Sequence, residues 1–170
     1  MTDTKPIGAD ATGYEVLTAA MKDLLNQFPG LKNEESSWQE IKFEELEKHS
    51  GIAFSADNGA LVYSEKEDVC GVVHQSCQYP FFVVYRAQAM RERQKMNIQS
   101  FLETLGKWIC REPITIDGQE IRKIEFPKLS GGRSIKRITR YNSYAAEPQE
   151  NGVQEWVLPV TVTYTNEFER

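Results

Sequence analysis

Hydrophobic and polar residues change period several times along the chain, and each change marks an element. Val16 or Leu17, Ala20 or Met21, Leu24 and Phe28 recur on one helical face, and Pro29-Gly30 closes the run. The spacing predicts a first helix over residues 14–28. Residues 33–48 (NEESSWQEIKFEELEK) are acidic, with Trp38, Ile41 and Phe43 as the only large apolar anchors. Their pattern fits a short strand, a helix or an exposed excursion, and periodicity does not decide among them. Ile52-Ala53-Phe54 and Ala60-Leu61-Val62-Tyr63 flank Asp57-Asn58-Gly59. Asn-Gly accepts the positive φ of a tight turn, so this segment predicts a β-hairpin, and strands over 69–75 and 81–86 extend its sheet.

The sharpest change of period comes next. Val83 and Tyr85 alternate with Phe82, Val84 and Arg86, after which Ile98, Phe101, Leu102, Leu105, Trp108 and Ile109 recur at helical spacing. A strand therefore leads into an amphipathic helix near residues 92–110, whose surroundings carry Arg91, Arg93, Lys95 and Lys107. Pro113 ends helical structure, and Ile114-Thr115-Ile116 runs into an Asp117-Gly118 turn. Residues 134–144 and 155–168 read as strands joined at 147–152. Pro159 lacks a backbone donor, which places the last strand at a sheet edge or starts it beyond Pro159. This order predicts a single α+β domain over 1–170, with a mixed or antiparallel β-sheet, two main helices packed on one face, and residues 1–13 as a flexible N-terminal arm.

Composition agrees with one domain: the chain has 170 residues, 40% hydrophobic and 26% charged. No apolar run approaches the ~20 residues that cross a bilayer, and MTDTKPIGADATGYE has neither the n-region nor the h-region of a leader. A soluble protein made in the cytosol is expected, without membrane contact. The net charge of -5 argues against coating of nucleic acid, and no sequence-specific nucleic-acid partner is expected.

Candidate chemistry is sparse. The histidines are His49 and His74, and no G-x-S-x-G elbow accompanies them. Cys70, Cys77 and Cys110 form no C-x-x-C pair; on a strand Cys70 and His74 share one face and Cys77 takes the other, which favours buried thiols and a polar strand-end histidine over a metal site. Glu34-Glu35, Glu44-Glu45 and Glu65, Glu67, Asp68 lie in polar segments typical of solvated surface. Ser130-Gly131-Gly132-Arg133-Ser134 exposes backbone donors but lacks P-loop spacing, so a connecting loop is preferred to a phosphate site. No catalytic residue, metal ligand or cofactor is expected. Lys128, Arg133, Lys136, Arg137 and Arg140 cluster with only Glu125 nearby to neutralise them, and Lys136 and Arg140 would share a face with Ile138. This stretch reads either as an exposed basic strand or as a docking patch for an acidic partner surface.

FFVVYRAQAMRERQKMNIQSFLETLGKWICREP, GGRSIKRITRYNSY and NGVQEWVLPVTVTYTNEFER, with the short features R-Q-K-M, F-L-E-T-L-G-K-W, R-x-T-R and Y-x-N-E-F, resemble a family of small proteins encoded among the head and tail genes of long-tailed phages and prophages of Gram-positive bacteria. The likeness covers most of residues 14–170. Members are labelled minor capsid or tail proteins, and the order of elements is similar to that of the tail-terminator or tail-completion class. The resemblance implies a structural protein of the virion tail or neck, assembled in the host cytoplasm. It would form a homo-oligomeric ring, commonly a hexamer, against tail-tube and head–tail connector proteins, without catalytic residues. Some relatives carry a chloramphenicol-resistance label. The acetyltransferase motif H-x-x-x-D is absent here, since Ala53 follows His49 and Gln78 follows His74 at that spacing.

A ring needs one surface complementary to a different surface of the neighbour. The acidic segment with Glu34, Glu35, Glu44 and Glu45 and the basic residues Arg133, Lys136, Arg137 and Arg140 supply opposite signs for such docking. The alternative function is a small cytosolic ligand- or nucleotide-binding protein that uses the Gly131-Gly132 loop.

Overall fold

The computed structural model describes residues 14–31, 39–57, 61–88 and 91–170. The expected N-terminal arm at 1–13, Trp38, and the acidic pair Glu34-Glu35 lie outside them. Two strands, β4 (Val72–Gln88) and β9 (Val153–Glu169), are 17 residues long each and pair antiparallel over their whole length, from Val72 opposite Glu169 to Gln88 opposite Val153. The remaining strands of the main sheet are added to the sides of this ladder. β2 (Gly51–Ala56) and β3 (Leu61–Glu67) lie against β4; β7 (Arg133–Arg140) and β8 (Tyr144–Ala145) lie against β9; β1 (Ile41–Phe43) pairs parallel with β2. β5 (Thr115–Ile116) and β6 (Gln119–Glu120) form a separate hairpin across Asp117 and Gly118, both at positive φ as that tight turn demands.

Alternation along β4 sets the two faces. Val73, Cys77, Tyr79, Phe81 and Val83 are buried, as are Trp156, Leu158, Val160, Val162 and Tyr164 of β9. Helices α1 (Tyr14–Leu25) and α2 (Glu92–Ile109) supply core partners for this face: Leu17, Met21, Leu24 and Leu25 from α1, and Ile98, Leu102, Leu105, Trp108 and Ile109 from α2. Phe28 joins the two, its ring 5.6 Å from Phe101 and 5.2 Å from Trp108. The α+β sheet with two helices on one face is thus the observed architecture.

Several local expectations fail, each for a physical reason. The first helix stops at Leu25, three residues early. The Asn26 side-chain amide caps the helix end at the Lys22 carbonyl (2.8 Å) and ties it to Ile41, donating to the Ile41 carbonyl at 2.9 Å and accepting the Ile41 N–H at 2.8 Å, so the chain leaves the helix here. This amide also fixes the otherwise undecided segment before residue 48 as a three-residue parallel strand, β1.

Among the described residues β2 and β3 do not pair with each other as expected across Asp57-Asn58-Gly59; the turn residues 58–60 are outside the described residues. β2 pairs with residues 81–86 of β4 and β3 with residues 73–78, both antiparallel, so the two strands follow one another along one flank. The true hairpin is β3–β4, turned at Asp68, whose carboxylate Oδ1 accepts the N–H groups of Cys70 and Val72 at 2.9 and 3.1 Å. Val69 and Cys70 belong to that exposed turn instead of to a strand, and the strands expected at 69–75 and 81–86 are one.

Pro159 is central, between β4 and β7, and not at an edge or before the strand. In an antiparallel strand the N–H and C=O of one residue point to the same neighbour. The Pro159 carbonyl accepts the Tyr141 N–H at 3.0 Å, so its missing donor faces away from β4, at the break between β8 and β7. Pro80 sits likewise in β4 at the handover from β3 to β2, its carbonyl accepting the Asp57 N–H at 3.0 Å. Neither proline removes a bond from the central ladder.

Trp108 is 4% exposed and its indole sits against Phe28. Trp108→Ala is expected to cost about 3 kcal/mol, read as a lower midpoint in chemical denaturation; an unchanged midpoint would show that the indole does not anchor α2.

Candidate assembly surface

β7 crosses the edge of the sheet with a bulge. The register passes from Ile135 opposite Tyr164 to Arg137 opposite Thr163, which leaves Lys136 as the extra residue. Simple alternation therefore fails here: Ile135 and Ile138 are both buried, and Lys136 is pushed outward instead of sharing the face of Ile138 and Arg140. Lys136 and Arg137 are exposed, and among the described residues no carboxylate pairs with either.

The other two cations of the patch are already engaged. Arg140 turns inward, donates from Nε to Glu112 at 3.1 Å, and retains only 17% exposure of its side chain. Its stem lies on α2 at Gly106, where a Cβ would come within 2.5 Å of Arg140 Cδ. Arg140 is thus a strut between β7 and the end of α2, and Glu112 neutralises it. Glu125 pairs instead with the fully solvated Arg122 at 3.8 Å.

Arg133 closes the glycine loop. Gly131 and Gly132 both have positive φ, and Arg133 Nη1 donates to the Ser130 carbonyl at 3.0 Å, folded over Gly131. Gly132 passes against the Glu167 backbone, accepting its N–H at 3.1 Å, where a side chain has no room. The two glycines therefore serve a tight connection into β7, and the guanidinium is turned on the loop itself.

On the acidic side, Glu44 and Glu45 follow β1 on the flank opposite β7. Glu45 pairs with Lys42 at 3.5 Å, and the Ser55 hydroxyl donates to Glu44 at 3.5 Å. Both are exposed and lightly held. Grooves of about 290 and 280 Å³ adjoin this region, the first lined by Glu40, Lys42, Glu45 and Ile52, the second by Leu31, Tyr85, Ile98 and Phe101.

β3 carries no marked signal in the sequence, yet every one of its seven residues is exposed, with Leu61, Val62 and Tyr63 at 48, 55 and 58%. The available signal was Leu61-Val62-Tyr63 passing directly into Ser64-Glu65-Lys66-Glu67, an apolar strand start without an alternating buried face. Polar ties hold the end of this hairpin. His74 lies between two carboxylates, Nε2 3.1 Å from Asp68 and Nδ1 3.0 Å from Glu167, linking the turn to β9. Arg170 reaches Glu65 at 2.9 Å and Glu67 at 3.7 Å.

The thiols do not form a site. Cys77 is buried and its thiol is pushed up by desolvation; Cys110 is half-buried and pushed up to about 11 for the same reason; Cys70 is exposed, against the expectation of buried thiols at Cys70 and Cys77. Among the described residues no cluster of three His, Cys, Asp or Glu side chains is arranged to hold a metal ion.

Both imidazole nitrogens of His74 donate only when the ring is charged, and the hydrogen bond to Asp68, then that to Glu167, raise its pKa above 6.5. Asp68 is lowered from 3.8, first by His74 and then by the turn N–H groups. The clamp from His74 is complete below 6.5 and is lost as pH rises through the raised value; the part from Asp68 is present above 3.8 and is lost as pH falls through its lowered value. An NMR titration is expected to place His74 above 6.5, with Asp68→Asn bringing it down; a His74 titrating at or below 6.5 would show that the clamp is not formed in solution. Compared with known proteins, the chain matches no family model and no curated protein.

Proposed function

We propose that this chain is a structural assembly protein of a phage or prophage tail, a tail-terminator or head–tail joining subunit that closes into a homo-oligomeric ring at the end of the tail tube. The observation that carries this reading is the exposed edge strand β7, which presents Lys136 and Arg137 without carboxylate partners among the described residues, on a chain whose net charge is -5. An isolated basic strip on an acidic protein serves orientation-specific docking better than it serves stability, because exposed charges contribute little to a fold and much to the steering of a partner. The resemblance of 81–113, 131–144 and 151–170 to tail proteins of Gram-positive phages supplies the biological setting. In that setting the protein works without cofactor or turnover, in the neck or tail of the virion, against tail-tube and connector proteins.

The test is size in solution followed by complementation. The wild-type protein is expected to form a concentration-dependent ring by light scattering and electron microscopy. High salt should shift it towards monomer, since ~0.1 M salt already screens exposed charges beyond about 10 Å. Lys136→Glu combined with Arg137→Glu should leave melting unchanged and block both ring formation and rescue of a phage that lacks the gene. Arg140 is left intact because it braces α2. A double variant that rescues normally would return β7 to the status of solvated surface.

A further inference from the structure

We infer that the subunits of this ring join by edge-to-edge strand pairing, with β3 of one copy laid antiparallel on β7 of the next, so that one sheet runs continuously through neighbouring subunits. The inference rests on the ring reading above and adds its geometry.

Topology provides two matching edges. Among the described residues no strand pairs with the outer side of β3 or of β7. Each pairing in the path β3, β4, β9, β7 is antiparallel, so β3 and β7 run in opposite directions at the two sides of one subunit. When identical subunits stand side by side in the same orientation, β7 of one therefore meets β3 of the next as antiparallel strands, the arrangement an extended sheet requires.

Height selects this pair over others. Through β4, residues 61–67 stand level with residues 163–168 of β9, and β7 stands level with residues 160–166. β1 is level with residues 156–158, outside the 160–166 span of β7, whereas β3 overlaps that span over residues 163–166. The acidic counterpart level with the basic strip is accordingly β3 and its turn, with Glu65, Glu67 and Asp68; Arg170 already pairs with the first two and His74 with the third, so it is the apolar start of β3 that is left without a partner there. β7 carries Arg133, Lys136, Arg137 and Arg140 and no carboxylate.

The edges also need each other. With no proline, exposed on both faces and opening with Leu61, Val62 and Tyr63, the seven-residue β3 leaves an edge open to another strand, guarded only by its bulge at Tyr63 and by Lys66. In the antiparallel pairing the apolar start of β3 lies towards Tyr141, itself 71% exposed, and the acidic end lies towards Arg133.

A heterologous interface predicts complementation. Val62→Lys with Tyr63→Lys disables the β3 edge, and Lys136→Glu with Arg137→Glu disables the β7 edge. Each variant alone should remain monomeric at concentrations where the wild type forms rings, and an equimolar mixture should associate again, because each variant retains the edge the other lacks. Unchanged circular dichroism and melting establish that the variants are folded. A measurement that needs no variant is amide exchange, in which Leu61–Glu67 should exchange at least ten-fold more slowly in the ring than in diluted monomer. Rings formed by both variants, a mixture that stays monomeric, or β3 amides unprotected in the ring would overturn strand pairing and leave the ring reading standing. A wild-type protein that stays monomeric at every concentration tested would overturn both.

Discussion

The β4–β9 ladder is the constraint on which the other elements depend. Seventeen consecutive antiparallel pairs require donors and acceptors to alternate without a gap between the two strands, and both strands contain a proline. Pro80 and Pro159 are compatible because each directs its missing donor to the outer flank, at the point where one short neighbour ends and another begins. That phase divides the sheet into two heights. At one, β1, β2 and β8 flank the ladder; at the other, β3 and β7 do, and there the two sheet edges stand level.

The helical layer was legible in the sequence because its signal is local. The stripe from Ile98 to Ile109 has one solution, and five of its six residues are fully buried with Phe101 half-buried against Phe28 and Tyr85. Strand content was legible for the same reason. Pairing was not, since Asn58-Gly59 is a local turn signal while the partner of β3 is decided by register along β4. A 17-residue strand offers β2 and β3 separate places on one flank, and that non-local gain exceeds the small preference of a dipeptide. Proline was misread for a related reason: its rule concerns the missing donor, and only the structure shows which neighbour the donor would have faced.

The basic strip was found by composition but not apportioned by it. Counting cations treats Arg133, Lys136, Arg137 and Arg140 alike, whereas one bulge and one close helix approach separate them. The bulge ejects Lys136, Gly106 admits the Arg140 stem, and Glu112 completes that contact from the end of α2. Two of the four are engaged within the subunit, and Lys136 and Arg137 have no carboxylate partner among the described residues. Nothing in a single sequence marks a bulge within Ile135-Lys136-Arg137-Ile138, because the pattern also fits a regular strand with one outward isoleucine.

The β3–β4 hairpin shows how a strand without a core of its own can still be ready for a partner. β3 buries no side chain, so its order derives from the ladder with β4 and from the polar ties of Asp68, His74, Glu167 and Arg170. Such ties are individually weak at an exposed site and leave the hairpin in the less stable part of the fold. They nonetheless fix β3 in extended form before any contact is made. A strand already extended on β4, apart from its bulge at Tyr63, would give up little conformational entropy on adding another strand, so the new backbone bonds and the covered Leu61, Val62 and Tyr63 side chains would go chiefly into association. A hairpin clamped by charge, with an open apolar edge, is therefore suited to reversible, orientation-specific joining more than to the stability of the isolated subunit.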